Sequence, residues 1–509
     1  MSSHMEKKYK ILIYIFIGIA VVFAAVYFGN KIAKQKILSA IETELKNSNV
    51  AYKDITVDLI DGSSVVKEPK ILLGGVTISA DKINVIDLNY REYFFNKKIV
   101  FDRIVFLNPD ILIDKADSTR SISNKSEKNF QNDIQIKHVV IEHGRLKIKS
   151  SDSVKKGLFV SLQSMDIYDL HITQNSVKNK IPFNYSSLTL KSDSLSYMLN
   201  PEHQLRISNL SLANGNLVIN KVKVIPLYSK AEFDSRQKVE KDRFDLKIPK
   251  VSMKGFKWGF NGEKLQMQSK STLVEDAQFH VYRNKLLPDD NSIKPLYSQK
   301  LRELGTKLKF DTINISNASI FYEEKSVAGK PAGKVKFTSL DATAKNISNW
   351  NLEAENFPIT SVKANSKFMG ESRLNFKMEF DIRDGEDKFN FSGDLEGVSA
   401  NGMNSFLKPA LNIEVEGRIS SMFFNFYGND YNALGDTRLQ YHGFKVEVLR
   451  KDGVRKNKFL SSVANLILKN NTANKKIDQK NISATRDRTK SFWNFLWLCI
   501  RNGALKSFI

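Results

Sequence analysis

The sequence predicts a mainly β protein carried behind one N-terminal transmembrane helix, with few helices elsewhere. The first observation is an 18-residue run free of charge and proline, Ile11 to Phe28. The second is a ten-residue pattern, apolar at its first, third, eighth and tenth positions, that occurs six times. The third is that nothing between Thr56 and Lys469 provides enough amphipathic helix to cover strands whose apolar residues recur with a period of two.

Taken in order, residues 1–10 precede the apolar run "ILIYIFIGIAVVFAAVYF", residues 11–28, which as a helix spans about 27 Å and so matches the hydrocarbon of a bilayer. "FGNKIAKQK" follows it without a small-x-small cleavage site, so the run reads as an uncleaved anchor and not as a signal peptide. Lys7, Lys8 and Lys10 before it balance Lys31, Lys34 and Lys36 after it, and flanking charge leaves the orientation open. Apolar residues at 32, 37, 38, 41 and 45 predict a short amphipathic helix leaving the membrane. No second run of comparable length follows, which puts the rest of the chain on one side.

The six copies are "IVFLNPDILI" (104–113), "VVIEHGRLKI" (139–148), "LTLKSDSLSY" (188–197), "LSLANGNLVI" (210–219), "VSMKGFKWGF" (251–260) and "INISNASIFY" (313–322). Between the two apolar pairs of each copy the step is five, and an odd step sends the second pair of a straight strand to the wrong face. Either a two-residue hairpin or a kink in one continuing strand must absorb a residue. Pro109 cannot take the positive φ of a hairpin turn, so kinked long strands are expected for most copies, with hairpins left open at His143-Gly144 and Asn214-Gly215. Polar loops are expected at 116–132, 229–241, 323–334 and 469–490, and a helical insertion near Pro295 to Leu304. The dry strand faces must then meet a second sheet, as in a β-sandwich, or something that is not protein.

The 509 residues carry a formal charge of +23, with 41% apolar and 26% charged content, the composition of a folded chain. Only 18 of the 78 basic residues are arginine, which disfavours nucleic acid as the partner and favours a solvated surface or anionic lipid headgroups. The single cysteine, Cys499, excludes an internal disulfide framework. His138 and His143 are five apart on a strand, hence on opposite faces, and "GKPAGK" (329–334) is too short for a phosphate loop. Cys499 has no nearby histidine to activate it. The expectation is therefore a protein that is not an enzyme, with no catalytic residue, no metal ligand and no cofactor.

At the C-terminus "SFWNFLWLCI" (491–500) is half the length of a membrane span. Residues 491–509 read either as an interfacial tail, with Phe492, Trp493, Phe495 and Trp497 touching a membrane or partner, or as a helix capping the last strands.

With its anchor, its repeated strands and the stretch 391–449, the chain resembles the AsmA-like family of Gram-negative envelope proteins. Within that stretch Gly417 opens the apolar strand "RISSMFFNF" and Gly435 precedes "YHGFKVEVL". The Asp-Gly…Asn stretch found after the first repeats of relatives is missing after "ILIDKADS". The resemblance divides the chain into a cytoplasmic N-terminus (1–10), an anchor (11–28), a repetitive β-groove body (29–390), an AsmA-like β region (391–468), a polar linker (469–490) and the aromatic tail (491–509). It implies an elongated, curled β-sheet groove, held by a single-pass anchor in the cell inner membrane with its body in the periplasm. Such a groove shelters phospholipid acyl chains for intermembrane lipid transport and envelope maintenance. The lining it implies is Ile104, Phe106, Ile111, Ile113, Val139, Ile141, Leu146, Ile148, Leu210, Leu212, Leu217 and Ile219. About 30 strands at roughly 4.8 Å each would reach about 140 Å, which leaves room for an outer-membrane or periplasmic protein at the far end. The alternative is an envelope scaffold or assembly factor for outer-membrane proteins that uses its strands for pairing.

Overall fold

The computed structural model describes residues 50–449 and 477–508, apart from 59–60, 74, 97, 115–132, 150–156, 177–178, 180, 182 and 263. The anchor at 11–28 and the helix expected after it lie outside the described residues. The protein is mainly β, as the period of two predicts, and its contacts divide it into two units. One unit is Met1–Lys221 with Trp258–Leu265, and the other is Val222–Lys257 with Gln266–Ile509.

The first unit begins with β1 (Val50–Ala51), β2 (Asp54–Asp58), β3 (Ser63–Lys67), β4 (Lys70–Leu73), β5 (Val76–Ser79) and β6 (Lys82–Leu88). Helix α1 (Tyr90–Asn96) follows, its first turn capped by Asn89, whose Oδ1 accepts from the Glu92 amide at 3.1 Å. Then come β7 (Ile99–Leu107), β8 (Asp110–Asp114), β9 (Ile134–Glu142), β10 (Arg145–Lys149), β11 (Leu158–Ile172), β12 (Ser187–Asn200) and β13 (His203–Ala213). Strand β11 is the hub. One edge of it pairs antiparallel with β10 and, further along, with β9; the other pairs with β12, which pairs with β13. From β9 the ladder runs through β7 in parallel, then β6, β3 and β2. From β10 it runs through β8 in parallel, then β5, β4 and β1.

The odd step is absorbed by one residue in the left-handed region. Register runs on unchanged from Leu107↔Glu142 to Asp110↔Arg145, so β7–β8 and β9–β10 are two long strands, kinked side by side at Asn108 (φ 51°) and His143 (φ 54°). A hairpin at His143-Gly144 is thereby ruled out. At Asn214-Gly215 both φ values are positive, 50° and 71°, across a two-residue connection from β13 to β14 (Asn216–Pro226), the signature of a type I′ turn. The fifth residue of five of the six copies has positive φ: Asn108, His143, Asn214, Gly255 and Asn317. Asn and His tolerate that region better than most side chains, and glycine has no Cβ to oppose it.

Helix α2 (Lys230–Arg236) opens on a capping box between Ser229 and Glu232, inside the stretch expected as loop 229–241. After it come β15 (Asp242–Lys254), β16 (Lys257–Asn261), β17 (Lys264–Glu275) and β18 (Gln278–Asn284). Helix α3 (Tyr297–Arg302) falls in the predicted insertion. The second unit then runs through β19 (Lys307–Lys325), β20 (Gly333–Ser348), β21 (Thr360–Phe368), β22 (Ser372–Phe380), β23 (Phe389–Ser399), α4 (Ala400–Leu411), β24 (Ile413–Gly428) and β25 (Asn432–Val448). It ends with β26 (Ile477–Thr485) and α5 (Phe492–Phe508). Strands β19 to β26 form an antiparallel meander. The other edge of β19 runs parallel to β17 and then to β18, with paired kinks at Asp276 (φ 54°) and Asn317 (φ 52°). Two expected boundaries move. The division at 390/391 falls inside β23, and the linker 469–490 contains β26 because Ile482 and Ala484 bury themselves beneath α5.

A candidate apolar ligand face

Register fixes which side chains share a face, because directly paired residues project to the same side. In the first unit the predicted lining residues fall opposite one another: Ile104 and Val139, Phe106 and Ile141, Ile111 and Leu146, Ile113 and Ile148. The rows continue across the sheet. Val139 pairs with Ile167 and Ile167 with Leu188; Ile141 pairs with Met165, Met165 with Leu190, and Leu190 with Leu212. On the other side of the kinks, Ile78, Ile111, Leu146, Val160, Leu195 and Ile207 form a third row. Val76, Ile113, Ile148, Leu158, Tyr197 and Leu205 form a fourth. Leu210 pairs with Ser192 beside the kink at Asn209.

The rows differ in what covers them. Ile104 and Val139 are 2% and 1% exposed, packed with Ile83, Phe101, Leu170 and Ile172 into a protein core. These two positions are closed by protein, which corrects the expectation of an open lining there. Leu217 is also buried. Phe106 lies at the edge of that core, and Ile111, Ile113, Ile141, Leu146, Ile148, Leu210, Leu212 and Ile219 are half-buried. The opposite face beside the third and fourth rows carries ion pairs, Arg145 with Asp110 at 3.1 Å and Lys149 with Asp114 at 3.7 Å.

The second unit has a comparable row, Val251, Val274, Ile315, Ala342, Ala364, Phe376, Gly393 and Phe424, each the register partner of the next. Its small members leave space, and an open depression of about 500 Å³ lies along Ile315, Ala342, Ala364, Phe376 and Gly393 and their polar neighbours. A Cβ at Gly393 would lie 2.6 Å from the Phe424 ring, so the ring occupies the volume that a side chain would need.

Comparison with known protein families and with curated proteins finds no match. The geometry therefore stands on its own. Among the described residues no group of three His, Cys, Asp or Glu side chains is placed to hold a metal ion, and no helix is long and apolar enough to cross a membrane.

The C-terminal helix divides the four aromatic residues assigned to membrane or partner contact. Phe492 and Phe495 are buried against Phe389, with centroids at 5.3 and 5.9 Å, and belong to the core that includes Phe391, Phe426 and Ile482. They are core residues, because the sheet beneath α5 is aromatic. Trp493 and Trp497 face away and are exposed. Cys499 is fully buried, and burial pushes its thiol up to about 12. The segment before α5 holds it down by charge. Arg486 is buried and paired with Asp430, whose other oxygen lies 2.6 Å from Arg488 as an ion pair, while Lys490 bridges Glu240 at 3.0 Å and Asp289 at 2.8 Å. None of this was legible in the polar composition of 469–490, whose partners lie far away in sequence.

Proposed function

We propose that the protein shelters phospholipid acyl chains along its apolar sheet faces, curled into a groove, as an AsmA-like lipid-transport protein anchored in the inner membrane with its body in the periplasm. The observation that supports this is the pair of rows through Ile111–Leu146 and Ile113–Ile148, half-buried there, which continue over β11 to β13 and belong to none of the packed apolar clusters among the described residues. Apolar surface of this extent is stabilised by removal from water, at about 25 cal/mol per Å², and an alkyl chain laid across the rows would supply that cover. Strand addition by a scaffold is disfavoured at the last edge. Asn502 of α5 donates to the Ser483 carbonyl at 3.0 Å and Lys506 to the Lys480 carbonyl at 3.2 Å, so the helix already caps β26.

The test is extraction and mass spectrometry of the full chain purified in mild detergent. Phospholipid should co-purify with the wild type and with Lys147→Glu, which changes the opposite face. It should fall at least about tenfold in Ile148→Lys, since a charge among acyl chains is costly. Equal lipid in both variants, or none in the wild type, would sink the proposal. A loss of melting cooperativity in Ile148→Lys alone would favour the closed-sandwich reading.

A further inference from the structure

The outer face of α5 is not explained by the sheet it caps. Phe492, Phe495, Leu496, Cys499, Gly503 and Ser507 point inward, and Trp493, Trp497, Arg501 and Leu505 follow one another at four-residue spacing on the exposed side. Trp493 is 59% and Trp497 47% exposed. Tyr297 of α3, itself 38% exposed, lies beside them with its ring centroid 6.3 Å from that of Trp493, and Lys300 stands over the Tyr297 ring at 5.6 Å. Between Phe492 and Phe508 there is no aspartate or glutamate, while Arg501 is exposed in the row and Lys300 is exposed beside it; Lys506 turns instead to the Lys480 carbonyl of β26.

We propose that this face docks on the surface of an anionic lipid bilayer, with α5 lying in the plane of the interface. Tryptophan and tyrosine are the side chains that settle at headgroup depth, and the basic residues beside them, with no acid on the helix, complement lipid phosphate. A protein partner is a poorer fit. Three half-exposed rings of about 150–250 Å² each offer about 300 Å², against roughly 800 Å² per partner in a stable protein interface.

The experiment uses the full chain reconstituted in phosphatidylcholine vesicles and measures capture of labelled acceptor vesicles by flotation. Acceptors of phosphatidylethanolamine with phosphatidylglycerol should be captured, and acceptors of phosphatidylcholine much less. Capture should drop at least about tenfold in Trp493→Ser/Trp497→Ser and several-fold in Arg501→Glu, with Trp258→Ser unchanged. Protection of Cys499 from thiol reagents in each variant shows that α5 is still docked. Equal capture of both acceptors, or full capture by the double tryptophan variant, overturns the proposal. Capture requires no lipid on the sheet faces, so its failure and a failure of the acyl-chain reading are separate results.

Discussion

At Asn317 the backbone turns to φ 52° in the middle of a 19-residue strand, and two carboxylates hold it there. Its amide donates to Asp341 Oδ1 at 2.9 Å and its Nδ2 to Asp276 Oδ1 at 2.7 Å. A β-branched residue has no such local bond and clashes in the left-handed region, so Asn317→Val should cost about 1–3 kcal/mol. Asn317→Gly keeps the backbone and loses only the side-chain bond, for a smaller loss. Urea denaturation of the full chain in mild detergent compares the two; equal losses would show that strain is not the cause. The need for such a residue was legible in the odd step between apolar pairs. Its nature was not, because Asn, Asp and His also mark ordinary turns. The usable signal was positional: Asn108, His143, Asn214, Gly255 and Asn317 all occupy the fifth place of their copies.

Helix α5 rests on the sheet through its smallest residue. A Cβ at Gly503 would fall 2.3 Å from Thr437 Cγ2, so the helix approaches the strand as closely as a hydrogen permits. Gly503→Val should lift it, and Cys499 reports the movement, because it is the chain's one cysteine and fully buried. In the wild type the thiol stays protonated at pH values where an exposed cysteine ionises, and reaction with a thiol reagent at pH 8 should be slow. The expected outcome is labelling at least about tenfold faster in Gly503→Val, and unchanged labelling would mean that the close approach is not what seats the helix. The tail's aromatic content was legible in the sequence, and so was a capping helix as one of its two uses. Which aromatic residues face inward was not. That is decided by Phe389, Phe391 and Phe426, which arrive from strands far upstream.

Across the whole molecule, alternation shows which residues are apolar, while the rows they build depend on long-range register. The parallel pairings of β7 with β9 and of β17 with β19 bring Ile104 beside Val139 and Thr272 beside Ile313, and no spacing in the sequence announces them. The same non-local packing closes Ile104 and Val139 inside a core and leaves Ile111, Ile113, Leu146 and Ile148 half-covered, a distinction invisible to a pattern that treats all six alike. Topology is the remaining question at this scale. Lysines flank the expected anchor equally, Lys7, Lys8 and Lys10 against Lys31, Lys34 and Lys36, but long domains translocate largely regardless of charge. The proposed function requires the body outside the inner membrane. Lys250 is an exposed residue of β15 whose ion pair with Glu275 at 3.3 Å is a surface one worth at most about 1 kcal/mol, so Lys250→Cys should fold normally. Because Cys499 is buried, the new thiol stands against a silent background. In cells with a permeabilised outer membrane, a membrane-impermeant maleimide should label Lys250→Cys at once. Labelling that appears only after the inner membrane is broken would put the body in the cytoplasm and remove the basis for intermembrane transport.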